Sequence, residues 1–177
     1  MTQGLDTATA FDTFRSTVRK AGVREGLAFL LQLTDYRFIG IWRFQDGKAD
    51  AAVYYDRNNP SQVRATEVPD DATYCCYVRT SRGIVMIADS MQDLRTVGHP
   101  TREAIASYCG VPVMDADGQI FGTLCHYDLA PRDPEQVDTE LMIQVASFLA
   151  LGGYVPPYPQ PPIVAPVRSK ISAGLQA

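Results

Sequence analysis

The chain has 177 residues, 46% of them hydrophobic and 20% charged, enough for one domain with a substantial core and too little for a second full one. A formal charge of −4 and a pI near 5.1, with no basic run, give no electrostatic basis for a nucleic-acid or anionic-membrane partner. The longest apolar stretches, such as Leu27 to Leu31, fall far short of the about 20 residues that span a bilayer, and Met1 to Ala10 lacks signal-peptide order, so the expected compartment is the cytoplasm.

Phe11, Phe14 and Val18 recur at helical spacing, Gly22 interrupts the run, and Val23, Leu27, Leu30, Leu31 and Thr34 resume it. The pattern predicts a helix bent near Gly22 and ending before Tyr36. Arg37 to Phe44 reads as a strand covered on both sides, with Phe38, Gly40, Trp42 and Phe44 on one face and Ile39 and Ile41 on the other. Asp46-Gly47 marks a hairpin turn, with Ala49 to Tyr55 returning and Asp56 to Thr66 forming a loop.

A helix is expected from about Asp71 to Thr80, opened by Pro69-Asp70-Asp71 and carrying Tyr74, Cys75, Cys76, Tyr77 and Val78. A short strand, Ile84 to Ala88, and a helical turn, Thr101 to Ile105, follow. Ser107 to Met114 and Gln119 to Asp128 flank the turn Asp115-Ala116-Asp117-Gly118 and form the clearest hairpin in the chain. Val137, Leu141, Val145, Phe148 and Leu149 mark a closing helix. The domain boundaries expected are a helix at 1–21, the main domain at 22–151 and a tail at 152–177, whose Tyr154 to Pro166 holds six prolines.

This order of elements implies an α+β fold, and three segments give it a family likeness. Val68-Pro69-Asp70-Asp71-Ala72-Thr73-Tyr74-Cys75-Cys76-Tyr77-Val78 is the first, and Ile87-Ala88-Asp89-Ser90-Met91-Gln92-Asp93-Leu94-Arg95 the second. The third joins Tyr108-Cys109-Gly110-Val111-Pro112-Val113, Asp117-Gly118 and Gly122-Thr123-Leu124-Cys125-His126-Tyr127-Asp128. Together they resemble the GAF family across roughly Gly22 to Leu151. The resemblance implies a central antiparallel β-sheet of five or six strands, N- and C-terminal helices on one face and a ligand-type pocket on the other. It implies a sensory module that binds a small molecule or acts as a dimerising signalling platform, and leaves the ligand and any cofactor unknown.

The candidate ligand-binding residues are Tyr55, Tyr74, Cys75, Asp89, Tyr108 and His126. Tyrosines suit a pocket that is apolar inside with a few polar tips. Asp89 is placed either at a cap or in contact with Arg95, and His126 at or beside the pocket. Cys75, Cys76, Cys109 and Cys125 fit a reducing compartment and read first as small buried hydrophobes. The alternative is a thiol enzyme resembling the GAF-fold reductases of free methionine sulfoxide, although no Cys-Asp pair precedes the Val-Pro strand. No catalytic residue is assigned, and no metal site, because C-x-x-C and H-x-x-x-H spacings are absent. The expected partners are a small molecule, a second copy docked through the terminal helices (Phe11, Phe14, Val18 and part of Leu141 to Phe148), and a signalling protein.

Overall fold

The computed structural model describes residues 4–157. Helix α1 (Thr7–Ala21) is capped by Asp6, which accepts from the Thr9 amide at 3.0 Å, and it carries Arg19 and Lys20 in its last turn. Gly22, at φ 105°, breaks the axis, and α2 (Val23–Gln32) sets off in a new direction. Two hairpins supply most of the sheet: β1 (Phe38–Gln45) with β2 (Lys48–Asp56), and β5 (Ser107–Met114) with β6 (Ile120–Asp128). Between them lie β3 (Val68–Pro69), α3 (Cys75–Ser81) and β4 (Val85–Ile87); α4 (Thr139–Leu151) closes the chain of elements. The strands form one antiparallel sheet in the order β3-β2-β1-β6-β5-β4.

The two faces of the sheet carry different cores. Ile39, Ile41, Cys109, Val111, Val113 and Leu124 point to the helices and pack with Phe14, Leu27, Leu30, Leu31, Val145 and Leu149. Trp42, Tyr108 and Cys125 point the other way, toward Cys75 and Val78 of α3. Strand alternation produces this division directly. Gly122 is needed for the central pairing, since a Cβ there would fall 2.2 Å from the Trp42 carbonyl oxygen of β1. Asp128, at the end of β6, is buried and accepts from the Arg37 amide at 2.9 Å and Arg132 Nε at 2.8 Å. Arg37 in turn forks onto Asp56 at 2.9 and 2.8 Å, so these polar residues tie together the ends of three strands.

Three local expectations change and one holds. The helix expected from Asp71 is a 3-10 turn, Asp70–Ala72, followed by α3 from Cys75, because Thr73 is extended at φ −131° and ψ 150°. Thr101 to Ile105 makes the expected single helical turn, its Ile105 amide donating to the Thr101 carbonyl at 2.9 Å. The short edge strand β3 has no signal in its own two residues. Phe14 and Val18 do not form an outer stripe: they are buried between α1, α2 and α4, leaving Ile143 and Leu151 as exposed apolar residues of α4. Most of the proline-rich tail lies outside the described residues. Among the described residues no helix is long and apolar enough to cross a membrane, and no cluster of metal-ligating side chains occurs.

Candidate functional site

On the sheet face opposite the terminal helices lies a cavity of about 190 Å³. Trp42 of β1, Tyr108 of β5, and Cys125 and Tyr127 of β6 give it a floor. Tyr74 and Cys75, at the start of α3, form a wall, and the segments around Val68–Thr73 and Thr101–Ile105 supply the rim. Tyr74 is fixed by an edge-on contact with the Tyr108 ring, centroids 5.8 Å apart, and its hydroxyl donates to the Ile105 carbonyl at 3.2 Å. His99, between Gly98 and Pro100, is half-buried. Its ring lies 4.8 Å from Tyr74 and 5.2 Å from Tyr77, and its Nε2 is 3.7 Å from Cys76 Sγ.

Cys75 is the chemical centre of this wall. Its sulfur receives Thr123 Oγ1 at 3.0 Å and the Tyr108 hydroxyl at 3.5 Å, both from the sheet below. Burial pushes the thiol up, but hydrogen bonds from Cys125, Thr123, Tyr108 and Thr73 outweigh it and bring Cys75 down to about 7. Cys125 moves the other way: its burial and the neighbouring Cys75 both hold its proton on, so the first proton lost from the pair leaves from Cys75. Cys109, on the helix side of the sheet with no such donors, is pushed up to about 12 by burial alone. One cysteine is therefore set apart from the others by its surroundings.

Tyr108 reaches Cys75 because of the glycine two positions on. A Cβ at Gly110 would fall 2.2 Å from the Tyr108 hydroxyl and 2.6 Å from its Cζ. The ring thus lies along the strand over a bare backbone, a close approach that only glycine permits.

Of the six residues expected at the site, the structure brings together Tyr74, Cys75 and Tyr108. Tyr55 and His126 lie on the helix side. Tyr54 and Tyr55 cannot share a face in an extended strand: Tyr54 lies over Phe38, whereas Tyr55 stacks against the Arg24 guanidinium at 4.7 Å. His126 is separated from the cavity by the same alternation, being flanked by Cys125 and Tyr127 that line it. Asp89 caps a turn, accepting from the Met91 amide at 2.9 Å, and it does not line the cavity; Arg95 pairs with Asp93 instead. Trp42, Thr123 and Tyr127 were not among the six candidates, although the tyrosines as a group were expected around the pocket. Their signal was the period-2 alternation itself, which puts Thr123, Cys125 and Tyr127 on the face of Trp42.

A family model described as GAF domain matches residues 21–152. No curated protein matches the chain by sequence. Among solved structures, the GAF domain of an Acinetobacter phosphoenolpyruvate-protein phosphotransferase is similar at a TM-score of 0.66 and 13% identity, over 84% of this chain and 91% of that one. The free methionine-R-sulfoxide reductase of Neisseria meningitidis, solved with its substrate, is similar at 0.63 and 16%, over 81% and 86%. The chromophore-binding domain of a Stigmatella aurantiaca phytochrome is similar at 0.64 and 13%, over 84% of this chain and 61% of that one. At these identities the likeness is one of fold.

Proposed function

Since the chain belongs to the GAF family, we propose that it is a small-molecule sensor whose ligand occupies the cavity over Cys75. The observation that carries this reading is the cavity itself, enclosed by Trp42, Tyr74, Tyr108 and Tyr127 with one polarised sulfur at its wall. Its volume is below the ~300–1,000 Å³ usual for drug-sized ligands, so the ligand is small. Aromatic walls and the scarcity of charged groups select an uncharged, flat or apolar molecule. Tyr74 and Cys75 would feel its arrival first, because both belong to the short α3 segment. Output passes through a partner protein or a second copy, for which Phe11, Ile143, Phe148 and Leu151 along α1 and α4 offer the surface.

A second reading rests on Cys75: a thiol held near neutrality beside Cys125 suits a GAF-fold enzyme of the free methionine sulfoxide reductase type. One experiment separates the two. A metabolite screen by thermal shift is run on the parent protein and on Ala72→Phe, which fills the rim, alongside NADPH-coupled reduction of free methionine sulfoxide. A sensor gives a compound that stabilises the parent by about 2.7 kcal/mol at 100 times its dissociation constant, little effect in A72F, and no turnover. Turnover lost in Cys75→Ser supports the enzyme. Stabilisation equal in both proteins removes the cavity from either role, and a light-scattering mass of one chain removes the dimer.

A further inference from the structure

The helix side of the sheet holds a second, larger cavity, of about 520 Å³, separated from the Cys75 cavity by the strands themselves. Ala10 of α1, Leu30 of α2, and Leu141 and Met142 of α4 give it apolar walls, and Leu33 stands at its mouth. At its inner end is His126, 1% exposed, and neither of its ring nitrogens has a hydrogen-bond partner among the described residues. Tyr36, whose ring lies 5.7 Å from that of His126, is likewise buried with an unpartnered hydroxyl. Buried polar groups are rarely left unmatched, because each costs about 1–3 kcal/mol.

Gln32 is exposed to solvent, and the other polar side chains of the cavity are already engaged. Gln136 Oε1 accepts from the Asp35 amide at 2.7 Å and its Nε2 donates to the Asp133 carbonyl at 2.9 Å. Thr34 Oγ1 donates to the Leu31 carbonyl at 3.2 Å and accepts from the Tyr36 amide at 3.3 Å. Asp138 accepts from the Leu141 amide at 3.0 Å and from Thr7 Oγ1 at 2.5 Å. The buried group left unspent is the His126 imidazole, whose neutral form offers one donor and one acceptor.

We propose that this cavity is a second ligand site, which takes an uncharged molecule with an apolar body and one hydroxyl, the hydroxyl bonding to the His126 ring. The walls select the apolar body. A cation is disfavoured by the same burial, and by the same Arg57 nearby, that keep His126 unprotonated. An anion would have to pass the Asp138 carboxylate at the mouth. A hydroxyl matches either ring nitrogen, donating to the bare one or accepting from the protonated one. The bound molecule would sit against the N-terminal turns of both α1 and α4, which Thr7 and Asp138 tie together.

The probe is p-cresol, with toluene as its counterpart lacking the hydroxyl. The chain has two histidines, so ring-nitrogen spectra of protein labelled with 15N-histidine read His126 directly, His99 being assigned with His99→Gln. The expected result is a saturable shift of one His126 ring nitrogen by p-cresol, with toluene binding roughly tenfold more weakly. His126→Phe should erase that preference, and Leu33→Trp, at the partly exposed mouth, should weaken both compounds. No saturable His126 shift up to the solubility of p-cresol overturns the proposal, as does an undiminished preference in H126F. If H126F does not fold, the parent and L33W decide alone: equal affinity in both overturns it. A His126 shift caused equally by toluene shows a cavity matched by water only, and also overturns it.

Discussion

At the scale of residues, the chemistry of Cys75 is set by what β5 and β6 present to it. Thr123 at 3.0 Å is the shorter and stronger donor, and Tyr108 at 3.5 Å the weaker. Thr123→Val keeps the shape and removes the hydroxyl, so a thiolate there loses a charge-assisted bond while the neutral thiol loses less. Alkylation of Cys75 by iodoacetamide, followed by mass spectrometry of its peptide, should slow about tenfold at pH 7, with its midpoint moving up from about 7. Gly110→Ala should shift the midpoint the same way by a smaller amount, since its methyl group displaces the Tyr108 ring. A midpoint unmoved in T123V would mean that the sheet does not hold the thiolate. None of this was legible in the sequence residue by residue. Cys75 stood out there as a residue placed at the pocket, with nothing to mark its thiol as different from the other three, and the donors belong to strands 33 and 48 positions away.

At the scale of elements, α1 and α2 meet at a glycine inside a helix, a position where propensity alone favours alanine by about 1 kcal/mol. Gly26 is buried, and a Cβ there would lie 2.7 Å from Val18 Cγ2 and 2.8 Å from Phe14 Cε2, both fixed in the core. Overpacking at such a site costs about 1–3 kcal/mol. Gly26→Ala should therefore lower stability by up to about 2 kcal/mol in urea titration, the propensity gain offsetting part of the overpacking; a higher midpoint would show that the two helices slide apart freely. The elements themselves were largely readable. Alternation and turn signals mark both hairpins, and Gly22 marks the break between helices. What escaped was set by tertiary context: β3, two residues long, exists by pairing with the end of β2, and the outer stripe read on α1 is an inner one because α2 folds back over it. Tyr55 and His126 were misplaced for a simpler reason. Successive strand residues face opposite sides of the sheet, and on β6 it is Cys125 and Tyr127, either side of His126, that line the cavity.

At the scale of the whole molecule, the helix-side core has an acid-sensitive point. Burial depresses His126 to about 3; the Leu30 carbonyl nearby favours the proton, without hydrogen-bond geometry, and Arg57 opposes it. An unfolded chain would take up that proton near 6.5, so between pH 6.5 and about 3 the unfolded state binds more protons than the folded one. Stability from this group is therefore present in full above pH 6.5 and is lost as the pH falls. Asp56, held low by Arg37, and Asp93, held low by Arg95, lose stability in the same direction but only on entering the carboxylate range. At pH 4.5 the histidine alone accounts for about 3 kcal/mol. Replacing it with Phe keeps a ring packed against Tyr36 and removes the titration. Urea midpoints taken at pH 7.5 and 4.5 should then fall less in H126F than in the parent, by an amount worth about 2–3 kcal/mol, while the carboxylate contribution persists in both. Parallel declines would mean that the imidazole takes up its proton as readily in the folded state as in the unfolded one, and burial would not be what holds it neutral.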